Sequence, residues 1–414
     1  MKRFMSRLMF YSVTFAIIIL LIWFLSMIPK VRWEIVDSNS MITDIPTVHD
    51  FVPLGITFEE SNDHSLKFIH PFEKAWTCFI AFGIGKTSDG NNTVIFHNAL
   101  PQLYGKGIVR IHFNDNLYLI NLQAPLYFDS GGRIYKYPTV YCYGKFKSIK
   151  YVVSVSYYER TRLWIHVIKP LESSNGIKLE IEAKARGAPL WFGKSRGPYT
   201  LFGFYTLKKD VDIWSSFWDP GTFKGNLTIP GRGSFRISGS FIFVRSIHMP
   251  FRGEDPPLGF PAQGQYVWIQ QEDLDLMIGY VPNPAPEIIR EFKSYSYGRI
   301  NFPNRRLTFR FDEFKYFDSG GPKPFEMRII GKYEKGVVNL TGKPFDYFPK
   351  GRWDWKHEGI WWGRGKRASW GRTFSIWTGI ITLDGETIKV NAIGISEHHR
   401  VEGALPWTQN SQSP

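Results

Sequence analysis

Four consecutive residues near the end of the chain, Glu397-His398-His399-Arg400, combine a carboxylate, two imidazoles and a guanidinium. On a β-strand, alternation puts Glu397 and His399 on one face and His398 and Arg400 on the other. Glu397 and His399 could act as a general acid/base pair at the open end of a barrel. The competing reading is an exposed strand end whose side chains bond to solvent. A second polar group, Arg245 and His248, ends an earlier apolar run. If the two halves of the chain are built alike, both groups would sit at equivalent ends and could face each other across a cleft. Arg245 could equally be a structural partner of a carboxylate such as Glu397. The candidate catalytic set is therefore Glu397, His399, His248 and Arg245. No metal is expected, because neither His-x-His nor Cys-x-x-Cys spacing occurs. No cofactor is expected either: nucleophile elbow, P-loop and dinucleotide fingerprint are all missing.

Aromatic residues supply the second set of candidates. Trp76, Trp191, Trp268 and Trp377 sit on apolar runs, where they would either fill a closed barrel or line a cavity for a hydrophobic ligand. Residues 350–372 pack five Trp, Trp361 and Trp362 among them, between seven Lys or Arg. That mixture suits contact with a ligand or lipid headgroups, or Trp facing a barrel wall beside cations on a loop. Nucleic acid is not the expected partner, since the net charge of +14 is spread without a long basic block.

The elements that must hold these residues read as strands. Segments beginning at Gly107, Tyr151, Leu163, Ile177 and Leu307 run or alternate with β-branched and aromatic residues. After the N-terminal region only residues 286–292 read as a short helix. An internal repeat organises the rest. Tyr127-Phe-Asp-Ser-Gly-Gly132 recurs letter for letter as Tyr316-Phe-Asp-Ser-Gly-Gly321. Two weaker pairs follow in order, Leu190-Trp-Phe-Gly-Lys with Ile360-Trp-Trp-Gly-Arg, and Thr228-Ile-Pro-Gly231 with Thr382-Leu-Asp-Gly385, the offset shrinking from 189 to 170 to 154 residues. Two tandem copies of one β unit are expected, at residues 51–249 and 265–402, joined by a Pro/Gly-rich linker at 250–264 and followed by a disordered tail at 403–414.

Residues 9–28 are almost unbroken Leu, Ile, Phe, Met and Val without a charge. That length would span a bilayer core of about 30 Å. Residues 1–8 carry Lys2, Arg3 and Arg7, which favours an N-terminus inside and a body outside the cell membrane, tethered by residues 29–50. A cleaved signal peptide is the alternative, although no Ala-x-Ala-like site follows. Cys78 and Cys142 could pair in such a location or remain free. Asn91, Asn226 and Asn339 open glycosylation sequons, which add little at this chain length.

The order of features resembles the tandem lipocalin-like proteins of the carotenoid 1,2-hydratase (hydroxyneurosporene synthase) family and their AttH-like relatives. The resembling stretches are Ala75-Trp-Thr-Cys-Phe-Ile with Asp89-Gly90, Ile177-Lys-Leu-Glu-Ile-Glu-Ala with Pro189-Leu-Trp-Phe-Gly, Phe223-Lys-Gly-Asn-Leu-Thr-Ile with Ile237-Ser-Gly-Ser-Phe, Tyr266-Val-Trp-Ile-Gln-Gln, and Val390-Asn-Ala-Ile-Gly-Ile-Ser-Glu-His-His-Arg400. The resemblance implies an all-β fold of two antiparallel barrels, half-barrels or sandwiches, and handling of a hydrophobic, lipid-like or isoprenoid ligand. It also implies proton-transfer chemistry such as hydration, cyclisation or isomerisation. Family members often place an acid at the close of the first copy, whereas the matching stretch here, Phe241-Ile-Phe-Val-Arg-Ser-Ile-His-Met249, has no carboxylate. Arg245 and His248 could bind an anion or shuttle a proton but do not replace a neutral carboxylic acid. The rival expectation is a non-catalytic envelope or scaffold protein with barrels filled by their own side chains.

Overall fold

The computed structural model describes residues 14–20, 45–51, 58–60, 66–68, 76–100, 106–114, 116–172, 175–196, 200–201, 205–206, 212–248, 264–281, 295–319, 324–348, 355–357 and 366–401. Most of them are antiparallel strand, and the strands close into two barrels of ten and eight strands. The first barrel runs through Trp76–Thr87, Thr93–Ala99, Lys106–Phe113, Asn116–Asp129, Thr139–Phe146, Ile149–Tyr158, Leu163–Pro170, Lys178–Ala185, Asp212–Ile229 and Gly233–His248. Each strand pairs with the next, and Gly233–His248 returns to Trp76–Thr87. The second runs through Gly264–Gln271, Leu274–Val281, Tyr295–Phe302, Leu307–Asp318, Met327–Tyr333, Gly336–Phe348, Lys366–Leu383 and Glu386–Val401, which pairs back onto Gly264–Gln271. This is the all-β, tandem lipocalin-like architecture that the sequence leads one to expect.

The alternation that identifies the strands also sorts inside from outside. In Lys178–Ala185, Leu179, Ile181 and Ala183 are buried and face the first core, while Glu180, Glu182 and Lys184 are exposed. Barrels remove free sheet edges, so every interior position can be apolar without exposing a ladder.

The repeat has a topological meaning. Tyr127-Phe-Asp and Tyr316-Phe-Asp each end the fourth strand of their barrel. In the first copy Asp129 stops the strand by accepting from the backbone N–H of Gly131 (2.7 Å) and Ile134 (2.8 Å). The third repeat pair forms the turn of the last hairpin in each barrel, where Asp384 and Gly385 adopt φ of 49° and 84°. The first drop in offset, from 189 to 170, falls where the first barrel holds an additional hairpin, Leu163–Pro170 with Lys178–Ala185.

The first barrel is plugged at one end by the short helix Val48–Phe51. Phe51 is fully buried among Phe79, Tyr157, Trp164 and Phe243, with ring centroids 5.4–6.0 Å away. Tyr157 Oη donates to the Pro46 carbonyl (2.6 Å), and the Val48 N–H donates to Glu159 (2.8 Å). Cys142 is a free thiol in the same core, its pKa pushed up by burial.

Of residues 9–28, the structure describes 14–20, which are helical and expose Phe15, Ile17, Ile18, Ile19 and Leu20. Among the described residues no helix is long and apolar enough to cross a membrane. The remainder of 9–28, the short helix expected at 286–292, and the segments 250–263 and 358–365 lie outside the described residues.

Candidate functional site at the seam between the barrels

A strand buried on both faces has lost the polar side of its alternation, and several strands here have done so. Phe82, Ile84, Ile95 and Ile242 point outward from the first barrel, while Trp268, Met277, Phe374 and Ile395 point outward from the second. They pack together as a third core, separate from the two barrel interiors. The contact removes both sets from water, which supplies the main drive for docking one barrel on the other.

One margin of this seam is polar. The second barrel contributes Arg372 and Glu397, opposite each other in the register of its last hairpin, with Arg372 Nε donating to Glu397 Oε2 at 2.5 Å. The first barrel contributes His97 and Arg110, again cross-strand partners. Arg372 Nη1 lies 3.0 Å from His97 Nε2, and Arg110 Nη1 lies 3.3 Å from His97 Nδ1. Phe82 supports the group: His97 stacks on its ring at 4.7 Å, and the Arg372 guanidinium sits 4.8 Å from its centroid. His97, Arg110 and Arg372 are buried, whereas Glu397 keeps 22 % of its side chain exposed, so the cluster meets solvent at the carboxylate. Alongside, His112 Nδ1 is 3.7 Å from Asp346 Oδ2.

Burial and two guanidiniums hold the His97 imidazole well below the usual histidine range, so it is neutral at physiological pH. Burial and then Arg372 bring Arg110 down to about 8. A neutral imidazole accepts at one nitrogen only. Two guanidinium N–H edges therefore converge on one ring, a donor-rich cluster. Glu397, accepting from Arg372, is placed as a hydrogen-bond acceptor and anchor; that geometry does not present it as a proton donor.

The opposite margin is a structural clasp. Arg186 reaches across the seam to both oxygens of Asp275 (3.1–3.3 Å) and to the carbonyls of Gln271, Glu272 and Leu274. Asn301 Nδ2 donates to the Ala188 carbonyl at 2.9 Å, and Arg299 donates to the Pro189 carbonyl.

The residues singled out from sequence are distributed as follows. Glu397 is at the seam. Arg245 faces the interior of the first barrel, fully buried, with Nε donating to the Phe51 carbonyl at 2.8 Å and its guanidinium 3.9 Å from the Phe79 ring centroid. The two therefore lie on different surfaces of their barrels. His248 pairs with Trp76 in register, and His399 pairs with Gly264 and Trp370; the side chains of His248, His399 and Trp76 lie outside the described residues, as do Trp361 and Trp362 entirely. Trp191, Trp268 and Trp377 occupy three different cores: the first interior, the seam and the second interior. Among the described residues no group of three metal-ligating side chains converges. His97 and Arg110 were not legible as a site, because isolated polar residues on amphipathic strands look solvated; Arg372 closes the basic, Trp-rich segment 350–372 but was not singled out within it. The one available signal is that Phe82 and Ile95, on the supposed outer face, are apolar.

No family model matches the chain, and no curated protein does. Solved structures do. The chain is similar to CghA with Sch210972 (11 % identity, covering 78 % of this chain and 88 % of that one, TM-score 0.47). It is similar to a putative AttH from Nitrosomonas europaea (13 %, 78 % and 91 %, TM-score 0.42) and to kievitone hydratase from Nectria haematococca (8 %, 78 % and 88 %, TM-score 0.43). AttH-type and hydratase proteins are the group that the sequence motifs resemble.

Proposed function

We propose that this protein binds a small hydrophobic molecule, lipid-like or isoprenoid, whose polar end sits at the margin of the seam against Arg110, Arg372 and Glu397. The observation that supports this reading is a largely buried, donor-rich cluster, open to solvent at Glu397, beside the apolar seam residues Phe82, Phe374 and Ile395. Apolar surface next to a few convergent polar groups is the usual composition of a small-molecule site. Charged donors favour a carboxylate or phosphate end over an alcohol. The reading includes attachment through residues 9–28, with the barrels outside the cell membrane, supported by the charge-free apolar run and the basic residues before it.

The test is a fluorescence titration of detergent-extracted full-length protein with an isoprenoid acid and the corresponding alcohol. Arg110→Met should weaken the acid tenfold or more and leave the alcohol little changed, with Arg110→Lys recovering part of the loss. No saturable binding, or equal affinity in every variant, would leave the filled scaffold as the better account. Transformation of the ligand is a separate matter: Glu397→Gln with unchanged lipid turnover removes the proton-transfer role. Carbonate extraction of membranes tests the anchor.

A further inference from the structure

One outer face of the second barrel is open to water and yet carries aliphatic side chains. In Met327–Tyr333 and Gly336–Phe348 alternate residues are buried, so the intervening ones point outward. Register lines these outward positions up across five strands. One row reads Lys315, Ile330, Asn339, Ile380 and Lys389, with a cation at each end and two isoleucines between. The row beside it holds Arg328, Thr341 and Thr378, and the flanking rows pair Lys332 with Val337 and Lys343 with Ile376. Ile330, Val337, Ile376 and Ile380 are each 37–45 % exposed, and the five cations are exposed as well. Among the described residues of these rows the only carboxylate is Glu313, which lies 3.4 Å from Lys332.

An apolar centre rimmed by polar groups marks a contact site, and the composition of this one narrows the partner. Nucleobases stack on successive aromatic rings, whereas the centre of this face is aliphatic. Protein interfaces concentrate aromatic residues, Met and Arg and are depleted in Lys; four of the five cations here are Lys. A second copy meeting the same face would set the cations against their own images, because a twofold contact uses one patch twice. An anionic lipid surface complements both features. Lys stems lie along apolar surface while the ammonium reaches phosphate, and apolar side chains between them enter the headgroup layer.

We propose that this face of the second barrel lies on an anionic phospholipid surface, with Ile330, Ile376 and Ile380 in the headgroup layer and Lys315, Lys343 and Lys389 against phosphate. Each cation near such a surface strengthens attachment about fivefold, and the attraction is screened beyond about 10 Å at ordinary salt. The contact also places the seam. Ile376 is two residues from Phe374, which packs in the seam core, and Asp346 of the neighbouring strand is the residue that faces His112 of the first barrel. Two strand residues span about 7 Å, so a barrel held this way keeps one margin of the seam close to lipid. The contact rests neither on residues 9–28 nor on the ligand reading of the seam: a chain lacking the apolar run would still be recruited by charge.

The experiment uses full-length protein labelled with the fluorophore NBD at Thr378→Cys, in the middle of the face. The parent chain, labelled in parallel, corrects for the native cysteines, and Glu180→Cys on the outside of the first barrel is the control position. The probes are vesicles of phosphatidylcholine alone or mixed with phosphatidylglycerol. On the mixed vesicles the Thr378 label should brighten and shift to the blue, and the Glu180 label should not. The change should vanish in molar salt and on phosphatidylcholine alone. Lys315→Gln with Lys389→Gln should weaken the contact about 25-fold, fivefold for each cation, and Ile380→Asp should weaken it further. All three positions are exposed, so the fold should survive, and thermal unfolding checks that it does. A Thr378 label that stays in water on mixed vesicles overturns the lipid contact even where the chain resists carbonate extraction, which reads the anchor alone. A response to mixed vesicles from protein that carbonate does extract supports the face and removes the anchor. An equal response to both lipids, or one that ignores the three substitutions, overturns the proposal. So does a response to polyglutamate but not to vesicles, which would assign the face to an acidic protein.

Discussion

Arg372 and Glu397 face each other across the closing hairpin of the second barrel, and the guanidinium turns its other edge to His97 of the first. One side chain thus ties a local hairpin to a contact 275 residues away in sequence. Such a residue is costly to remove, because His97 stays behind buried and Glu397 stays behind only partly exposed.

Arg372→Met should destabilise the chain by about 3–5 kcal/mol, the cost of breaking one side of a buried pair. Water reaching the partly exposed Glu397 pulls the figure toward the lower end. Glu397→Gln keeps an acceptor and should cost about 1 kcal/mol. Urea denaturation of both variants and the double variant should give a coupling of more than about 1 kcal/mol; additivity would mean that the contact is incidental.

Phe51→Ala removes the ring that four other aromatics surround. The expected loss is about 3–5 kcal/mol, with a cavity at the plugged end. Hydrogen exchange should rise most in Ile149–Tyr158 and Leu163–Pro170, whose Tyr157 and Trp164 pack on that ring. Uniform exchange across the first barrel would show that the plug is not a local element.

Trp377→Ala should also cost about 3–5 kcal/mol, since the indole fills the second barrel. The complementary change, Gly342→Ala, would place a Cβ 2.7 Å from the Trp377 ring. Overpacking of this kind costs about 1–3 kcal/mol. Thermal unfolding that leaves Gly342→Ala unchanged would mean that the barrel interior is loosely filled.

The pH response has competing parts with opposite signs. His97 and His166 have pKa values lowered below the ordinary 6.5, so the unfolded chain binds their protons first and stability falls as pH drops below 6.5. Each contributes about 1.4 kcal/mol per pH unit well below that point. Burial raises Asp275 from 3.8 to about 6 against the opposing pull of Arg186, so its contribution is fully present below about 4 and declines as pH rises through 6. His166→Gln should flatten the acid slope between pH 6.5 and 4.5, whereas Asp275→Asn should steepen it between pH 6 and 4. Identical slopes in both variants and the parent would contradict these assignments.

The amino-acid order by itself determined the strand character, the inward face of each strand and the doubling of the unit. Alternation does this locally: Leu179, Ile181 and Ala183 must face a core wherever that core lies. The copied Tyr-Phe-Asp-Ser-Gly-Gly motif marked the end of the fourth strand twice, the exit being held by Asp129 in the first copy and by Ser319, whose Oγ accepts from the Phe325 N–H, in the second. It also placed Glu397 among the candidates, on the face that turned out to be the seam.

Tertiary structure alone decided which outward faces were to be covered. Alternation separates two faces of a strand but does not say whether the outer one meets water or a second barrel. Phe82 and Ile95 therefore looked like scattered surface apolar residues, Trp268 like barrel filling or a cavity wall, and His97 and Arg110 like solvated polar positions. Docking gave them one another. Closure likewise set Arg245 inside the first barrel against Phe51. These meetings depend on register and closure summed over many strands, and no short stretch of sequence carries that information.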